Sequence, residues 1–262
     1  MNIFIYLPNK KMVKKLKYTT LAALILSLIP LMTIISGWQW QPFEIGYSSK
    51  LLFLATETLT YPWVIGTNFI LFSWFFWCLR DSSNTIVLLM FMIIALFIGQ
   101  IFKMALKDHF HSIRPYNAWI QLHYSTQIKS FFNKDFLDTP CKANVFIIND
   151  VQIPPWLVKH WLQATEFSFP SGHTIFSATW ALVGVGLLWQ NRCYCTVILV
   201  MIWVSAVMSS RLIFGMHWSK DLFASIIISW ILAILTLLGL YNIKAIFVKY
   251  PGLKRKVSYL KD

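Results

Sequence analysis

Six predominantly apolar runs, at 21–36, 62–79, 85–106, 174–189, 196–209 and 222–240, leave this chain few ways to fold. Most approach the roughly 20 residues that a helix needs to cross a bilayer core. In hydrocarbon every backbone N–H and C=O must be satisfied internally, which a helix does within its own segment. The expected fold class is all-α: a polytopic membrane protein of six transmembrane helices, forming one membrane-embedded domain over residues 1–262. Only 13% of the residues are charged, about half the share usual in soluble domains. The runs at 174–189 and 196–209 are short for a full crossing, so flanking motif residues must supply their first or last turns.

The net charge of +13 could suggest nucleic acid, but its distribution points elsewhere. Lys10, Lys11, Lys14, Lys15 and Lys17 precede the first run, and Lys244, Lys249, Lys254, Arg255, Lys256 and Lys261 follow the last. Basic clusters that flank apolar segments set membrane orientation and meet lipid headgroups. Both tails, 1–20 and 241–262, are therefore expected in the cytoplasm, and segments 38–61, 107–173 and 210–221 on the outer face. The first run ends in Trp38 and Trp40, an aromatic interface marker, and reads as an uncleaved helix. Segment 38–61 is too polar to span and is expected to lie at the interface. Lys103 is expected to snorkel outward from the third run. The four cysteines have neither a disulfide nor a metal-site spacing.

The ionisable residues inside this frame gather at one surface. Lys107 and Arg114-Pro115 follow the third run, in KDHFHSIRP. Pro170-Ser171-Gly172-His173 opens the fourth, and Ser210–Asp221, SRLIFGMHWSKD, joins the fifth to the sixth. A guanidinium fork suits phosphate oxygens. Ser171 suits a helix N-cap, and Gly172 lets a ligand approach the free amides of a helix start, where the dipole favours anions. His217 and Asp221, four apart, can share a helical face, and a carboxylate beside an imidazole fixes its tautomer. Together these are the parts for attacking a phosphoryl group. Cations and amides neutralise the oxygens, one imidazole attacks in line, and the other protonates the leaving group. No metal-ligand cluster accompanies them. His109 and His111 lack a carboxylate partner and read as surface residues. Trp119, Trp156, Trp161, Phe167 and Phe169 read as interface anchors or a pocket lid, and Glu166 as a carboxylate close enough to tune His173.

These three motifs, K-x6-RP, PSGH and SR-x5-H-x3-D, resemble the signature set of the type 2 phosphatidic acid phosphatase superfamily, complete and in order. The resemblance implies a haloperoxidase-like helical core and a bacterial inner-membrane enzyme with its active site on the outer face. It implies His217 as the nucleophile of a phosphohistidine intermediate, Asp221 as its orienting partner, and His173 as general acid and then base. Lys107, Arg114, Ser171, Gly172 and Arg211 would bind phosphate. No metal or other cofactor, no nucleic acid and no obligate protein partner is expected. The substrate would be a membrane lipid phosphate reaching the site from the bilayer: phosphatidylglycerophosphate first, undecaprenyl diphosphate beside it, with a dedicated undecaprenyl-diphosphate phosphatase as the alternative. Vanadate-dependent haloperoxidases share the constellation, but six apolar runs argue against them. A transporter or lipid-binding protein would carry polar residues at mid-membrane, and few occur there.

Overall fold

The computed structural model describes residues 8–42, 47–80, 85–131, 153–164 and 167–249. Among them are nine α-helices: α1 (Lys10–Ile35), α2 (Tyr47–Glu57), α3 (Trp63–Leu79), α4 (Thr85–Phe110), α5 (Pro115–Phe131), α6 (Pro155–Gln163), α7 (Gly172–Leu188), α8 (Tyr194–Ile213) and α9 (Ser219–Lys249). The protein is an all-α, multi-span membrane protein. Helices α1, α4, α7, α8 and α9 are long and apolar enough to cross a bilayer; α3, at 17 residues, is apolar but shorter. The expected count of six thus meets five helices of full crossing length and one short one.

Helix α7 is the axis. From Thr174 to Leu188 nearly every residue is buried, and α1, α4, α8 and α9 pack around it. Its small residues, Ala178 and Ala181 among them, let neighbouring backbones come close where lipid gives no hydrophobic drive between helices. Leu182, Val204, Met208, Leu222 and Ile226 fill the surrounding core, while Leu24, Ile70, Phe97 and Ile202 point outward from the bundle. Helix α9 turns a polar stripe, Asp221–Ser225–Ser229, toward α7. Ser229 Oγ donates to Ile175 O at 3.0 Å, and Ser225 Oγ accepts from Ser171 N at 2.9 Å. Four-residue spacing aligns these groups on one face, so α9 fixes the height of the α7 N-terminus.

The described parts of the section between the apolar runs of α4 and α7 hold two further helices despite its weak periodicity. Helix α4 runs past its apolar stretch to Phe110, and α5 starts at Pro115, where a missing N–H costs a helix nothing. Helix α6 begins with Pro155 and buries Leu157, Val158, His160 and Trp161 on one face. Leu157, Val158 and Trp161 join Trp40, Tyr116, Ile120, Phe214 and Met216 in a second core above the bundle. Trp161 is therefore a buried packing residue and not an interface anchor. Glu166 and Cys141 lie outside the described residues.

Candidate active site

The turn at 214–218, between α8 and α9, depends on hydrogen bonds from outside its own segment. Four successive carbonyls, from Ile213 at the end of α8 to Met216, accept from donors elsewhere in the chain. Trp40 Nε1 donates to Ile213 O (2.8 Å), Trp161 Nε1 to Phe214 O (2.9 Å), Tyr116 N to Gly215 O (3.1 Å) and Arg114 Nη1 to Met216 O (2.9 Å). Buried carbonyls left unpaired would each cost about 1–3 kcal/mol, so these contacts determine the turn. Gly215 has φ +64°, and a Cβ there would lie 2.6 Å from the Trp40 ring. Only glycine meets both demands.

This turn delivers His217 ahead of α9 rather than on it. Asp221, in the first helical turn, reaches back so that Oδ2 accepts from Trp218 N at 3.0 Å, in the manner of a capping box. The same oxygen lies 3.4 Å from His217 Nδ1. Ser168 completes the group: its hydroxyl donates to Asp221 Oδ2 at 2.5 Å and lies 3.4 Å from His217 Nδ1. The carboxylate and hydroxyl together occupy the Nδ1 side, leaving Nε2 for the cavity. Burial first, then Arg114, Arg211 and Lys107, hold the His217 pKa well below the ordinary histidine value. A neutral imidazole with an exposed lone pair is the form that attacks phosphorus.

At the opposite wall Ser171 caps α7, its hydroxyl accepting from Thr174 N at 3.4 Å. His173 stands on the first turn, and its Nε2 is buried without a protein partner. A cavity of about 580 Å³ separates the walls; Lys107, Arg114, Gly172, His173, Arg211 and His217 line it. Ser171 and Asp221 are buried behind the lining residues, so the structure brings all eight expected residues to one place. Lys107 donates to Phe167 O, and Arg114 to the turn, so both cations also hold backbone at the rim. Among the described residues no three His, Cys, Asp or Glu side chains are arranged to hold a metal ion. Lys107, Arg114 and Arg211 bring positive charge to the cavity lining.

Several neighbours escaped the sequence reading. Lys103 lines the cavity one helical turn from Lys107 instead of snorkelling away, and its stem crosses Gly172, where a Cβ would lie 2.6 Å from Lys103 Cδ. Arg211 Nη1 donates to Thr56 Oγ1 (2.8 Å) and to His160 Nε2 (3.0 Å), while Arg211 Nε is buried without a protein partner. His160 Nδ1 lies 3.3 Å from Glu57 Oε1, an ion-pair distance without hydrogen-bond alignment. Burial, with Arg211 and Arg114, pushes the His160 pKa down to about 3, and burial raises that of Glu57. Spacing alone carries no signal for Thr56, Glu57, His160 or Ser168, whose partners are about 50 to 155 residues away. The exposed rings of His109 and His111 pack against Phe110 and Phe167, outside the cavity lining.

Comparison with known proteins gives a consistent result. The family model described as PAP2 superfamily matches residues 85–244. Phosphatidylglycerophosphatase B of Escherichia coli strain K12 is 39% identical over 215 residues, covering 82% of this chain and 85% of the relative. The protein of the same name from Shigella flexneri matches with the same figures. That from Haemophilus influenzae is 29% identical over 238 residues, covering 88% and 98%.

Proposed function

Because this chain belongs to the PAP2 superfamily, we propose that its cavity hydrolyses the terminal phosphate of membrane lipids without a metal ion. Phosphatidylglycerophosphate is the main substrate, as the names of the relatives suggest, and undecaprenyl diphosphate is accepted as well. One observation carries the reading. Two buried polar atoms without protein partners, His173 Nε2 and Arg211 Nε, belong to the same cavity as His217, Lys107 and Arg114. Buried donors are left unpaired at a cost, and a phosphoryl group would satisfy both.

His217 Nε2 attacks phosphorus in line and displaces the lipid alkoxide, or the lipid phosphate from a diphosphate. His173 gives its proton to the departing oxygen, leaving phosphate on His217. Water then attacks the phosphohistidine while His173 takes up a proton, and inorganic phosphate leaves with the enzyme restored. Lys107, Arg114 and Arg211, with Ser171 and the Gly172 amide, neutralise the oxygens, whose charge is redistributed in the transition state. Asp221 and Ser168 hold the His217 tautomer.

The membrane setting follows the same logic. Six crossings, α3 included, put both termini in the cytoplasm, because Lys10, Lys11, Lys14 and Arg192 gather at the opposite end of the bundle from the cavity. The reacting phosphate then lies at the outer headgroup plane. Leu59, Val64 and Phe176 in the cavity lining suit the first carbons of a lipid tail that reaches the site sideways. The test is phosphate release by purified protein from phosphatidylglycerophosphate and undecaprenyl diphosphate in mixed micelles, beside His217→Asn. Turnover surviving in His217→Asn overturns the mechanism, and a preference for the diphosphate reassigns the main substrate.

A further inference from the structure

The sequence motifs account for Arg211 as a phosphate ligand, but not for what aims it. An arginine side chain loses considerable rotamer freedom on being fixed, so an unbraced fork would grip a bound anion weakly. Arg211 sits in the last turn of α8, and two segments from outside its own motif converge on one end of its guanidinium. Thr56 comes from the end of α2, and His160 from the buried face of α6.

Donor chemistry settles the orientation of each group. Arginine has only N–H donors, so His160 Nε2, 3.0 Å from Arg211 Nη1, accepts. The imidazole proton is then on Nδ1, the nitrogen that faces Glu57 Oε1 at 3.3 Å. Phe53 packs edge-on against the imidazole, with ring centroids 5.6 Å apart, and limits its rotation. Both Nη1 hydrogens are thereby used, one on Thr56 and one on His160. The guanidinium plane is fixed, and its unpartnered Nε edge is left for the cavity that Arg211 lines.

We infer that His160, backed by Glu57, is a positioning residue for the phosphate clamp: it acts through Arg211, as a neutral hydrogen-bond acceptor. This rests on the phosphatase reading above. It also makes α2 and α6, which lie outside the crossing helices, part of the catalytic apparatus. Protonated His160 would turn an N–H toward the guanidinium, so one tautomer alone supports the clamp. Glutamine offers the same acceptor and donor pair without a charge; leucine offers neither.

The experiment compares wild type, His160→Leu, His160→Gln, Arg211→Lys and the double variant His160→Leu/Arg211→Lys. Phosphate release from a short-chain lipid phosphate and inhibition by inorganic phosphate are measured in detergent. His160→Leu should lower kcat/KM by about 10- to 100-fold, as expected when a buried charged group loses a partner. Most of the loss should fall in kcat, because the fork grips the transition state more tightly than the ground state. Inhibition by inorganic phosphate should weaken, and His160→Gln should recover to within about threefold of wild type. In the Arg211→Lys background the leucine substitution should add less than about threefold, since residues acting through one another are not additive. Wild-type kinetics in His160→Leu, or an equal cost in both backgrounds, would overturn the inference. If His160→Leu does not fold, Glu57→Ala, at the partly exposed end of the relay, takes its place with the same expected non-additivity. A wild-type protein that releases no phosphate sinks the phosphatase reading instead. Inorganic phosphate protection against thermal unfolding, compared among wild type, His160→Gln and His160→Leu, then decides the clamp separately: protection kept in His160→Gln and lost in His160→Leu supports it, and equal protection in all three overturns it.

Discussion

Trp180, at the centre of the bundle, packs edge-on against Phe72 and Phe75, and its buried indole N–H has no protein partner. Trp161, equally buried in the outer layer, stacks on Tyr116 at 4.7 Å and gives its indole N–H to Phe214 O. The first tryptophan is used for its area, the second for its direction. That difference extends to the two regions around them. The bundle sets where helix ends fall, by apolar contact that tolerates small shifts. The outer layer sets where individual carbonyls and side chains point, by hydrogen bonds that do not.

If the division is sound, substitutions in the two regions separate stability from turnover. Trp180→Ala should cause the largest loss of stability, about 3–5 kcal/mol for a large buried aromatic. Thermal unfolding in detergent would register it, with the turnover per folded molecule little changed; a parallel fall in kcat would break the comparison. Gly215→Ala comes next, at about 2–3 kcal/mol, from positive φ and collision with Trp40. Here kcat should fall as well, because the turn carries His217. Trp161→Phe keeps most of the ring but orphans Phe214 O, which should cost about 1–3 kcal/mol. Its effect on kcat should exceed that of Trp180→Ala despite the smaller effect on stability.

Two pH effects are smaller and sharpen the contrast. In the proposed mechanism His217 must be neutral to attack, and its folded pKa lies below the ordinary value of about 6.5. The acid limb of kcat/KM should therefore fall below pH 6.5; a limb at or above that value would contradict burial, reinforced by the surrounding cations, as its cause. His160, with a folded pKa of about 3, binds its proton more readily when unfolded. Its contribution to stability is present above about pH 6.5 and is lost as pH falls toward 3. His160→Gln should flatten that part of a stability profile.

The division also explains what the sequence made legible. Charged residues in an apolar chain must sit at helix ends or pair, so Lys107, Arg114, Arg211 and the two histidines stood out, and they do converge. Helix positions followed from the apolar runs, α3 included, although its 17 residues fall short of a full crossing length. Directional contacts left no such trace. An indole that caps a carbonyl and an indole in an interfacial belt have the same sequence signature, which is why Trp161 was expected at the membrane surface. His160 and Ser168 act on partners 51 and 53 residues away, across segments with no periodicity to mark them. Helix α5 escaped for the same reason. The expected influence of Glu166 on His173 falls outside the described residues.

The borrowed donors of the α8–α9 turn bear on any attempt to transplant this chemistry. Grafting 210–221 onto another helical hairpin would carry over His217, Asp221 and Arg211, yet leave four carbonyls, from Ile213 to Met216, without the groups that satisfy them here. At about 1–3 kcal/mol each, that deficit rivals the whole net stability of a typical domain. The smallest portable unit therefore includes Trp40, the 111–116 corner and α6, which together come from three separate stretches of chain. A designer who copied the motif alone would obtain the reactive side chains without the geometry that makes them a site.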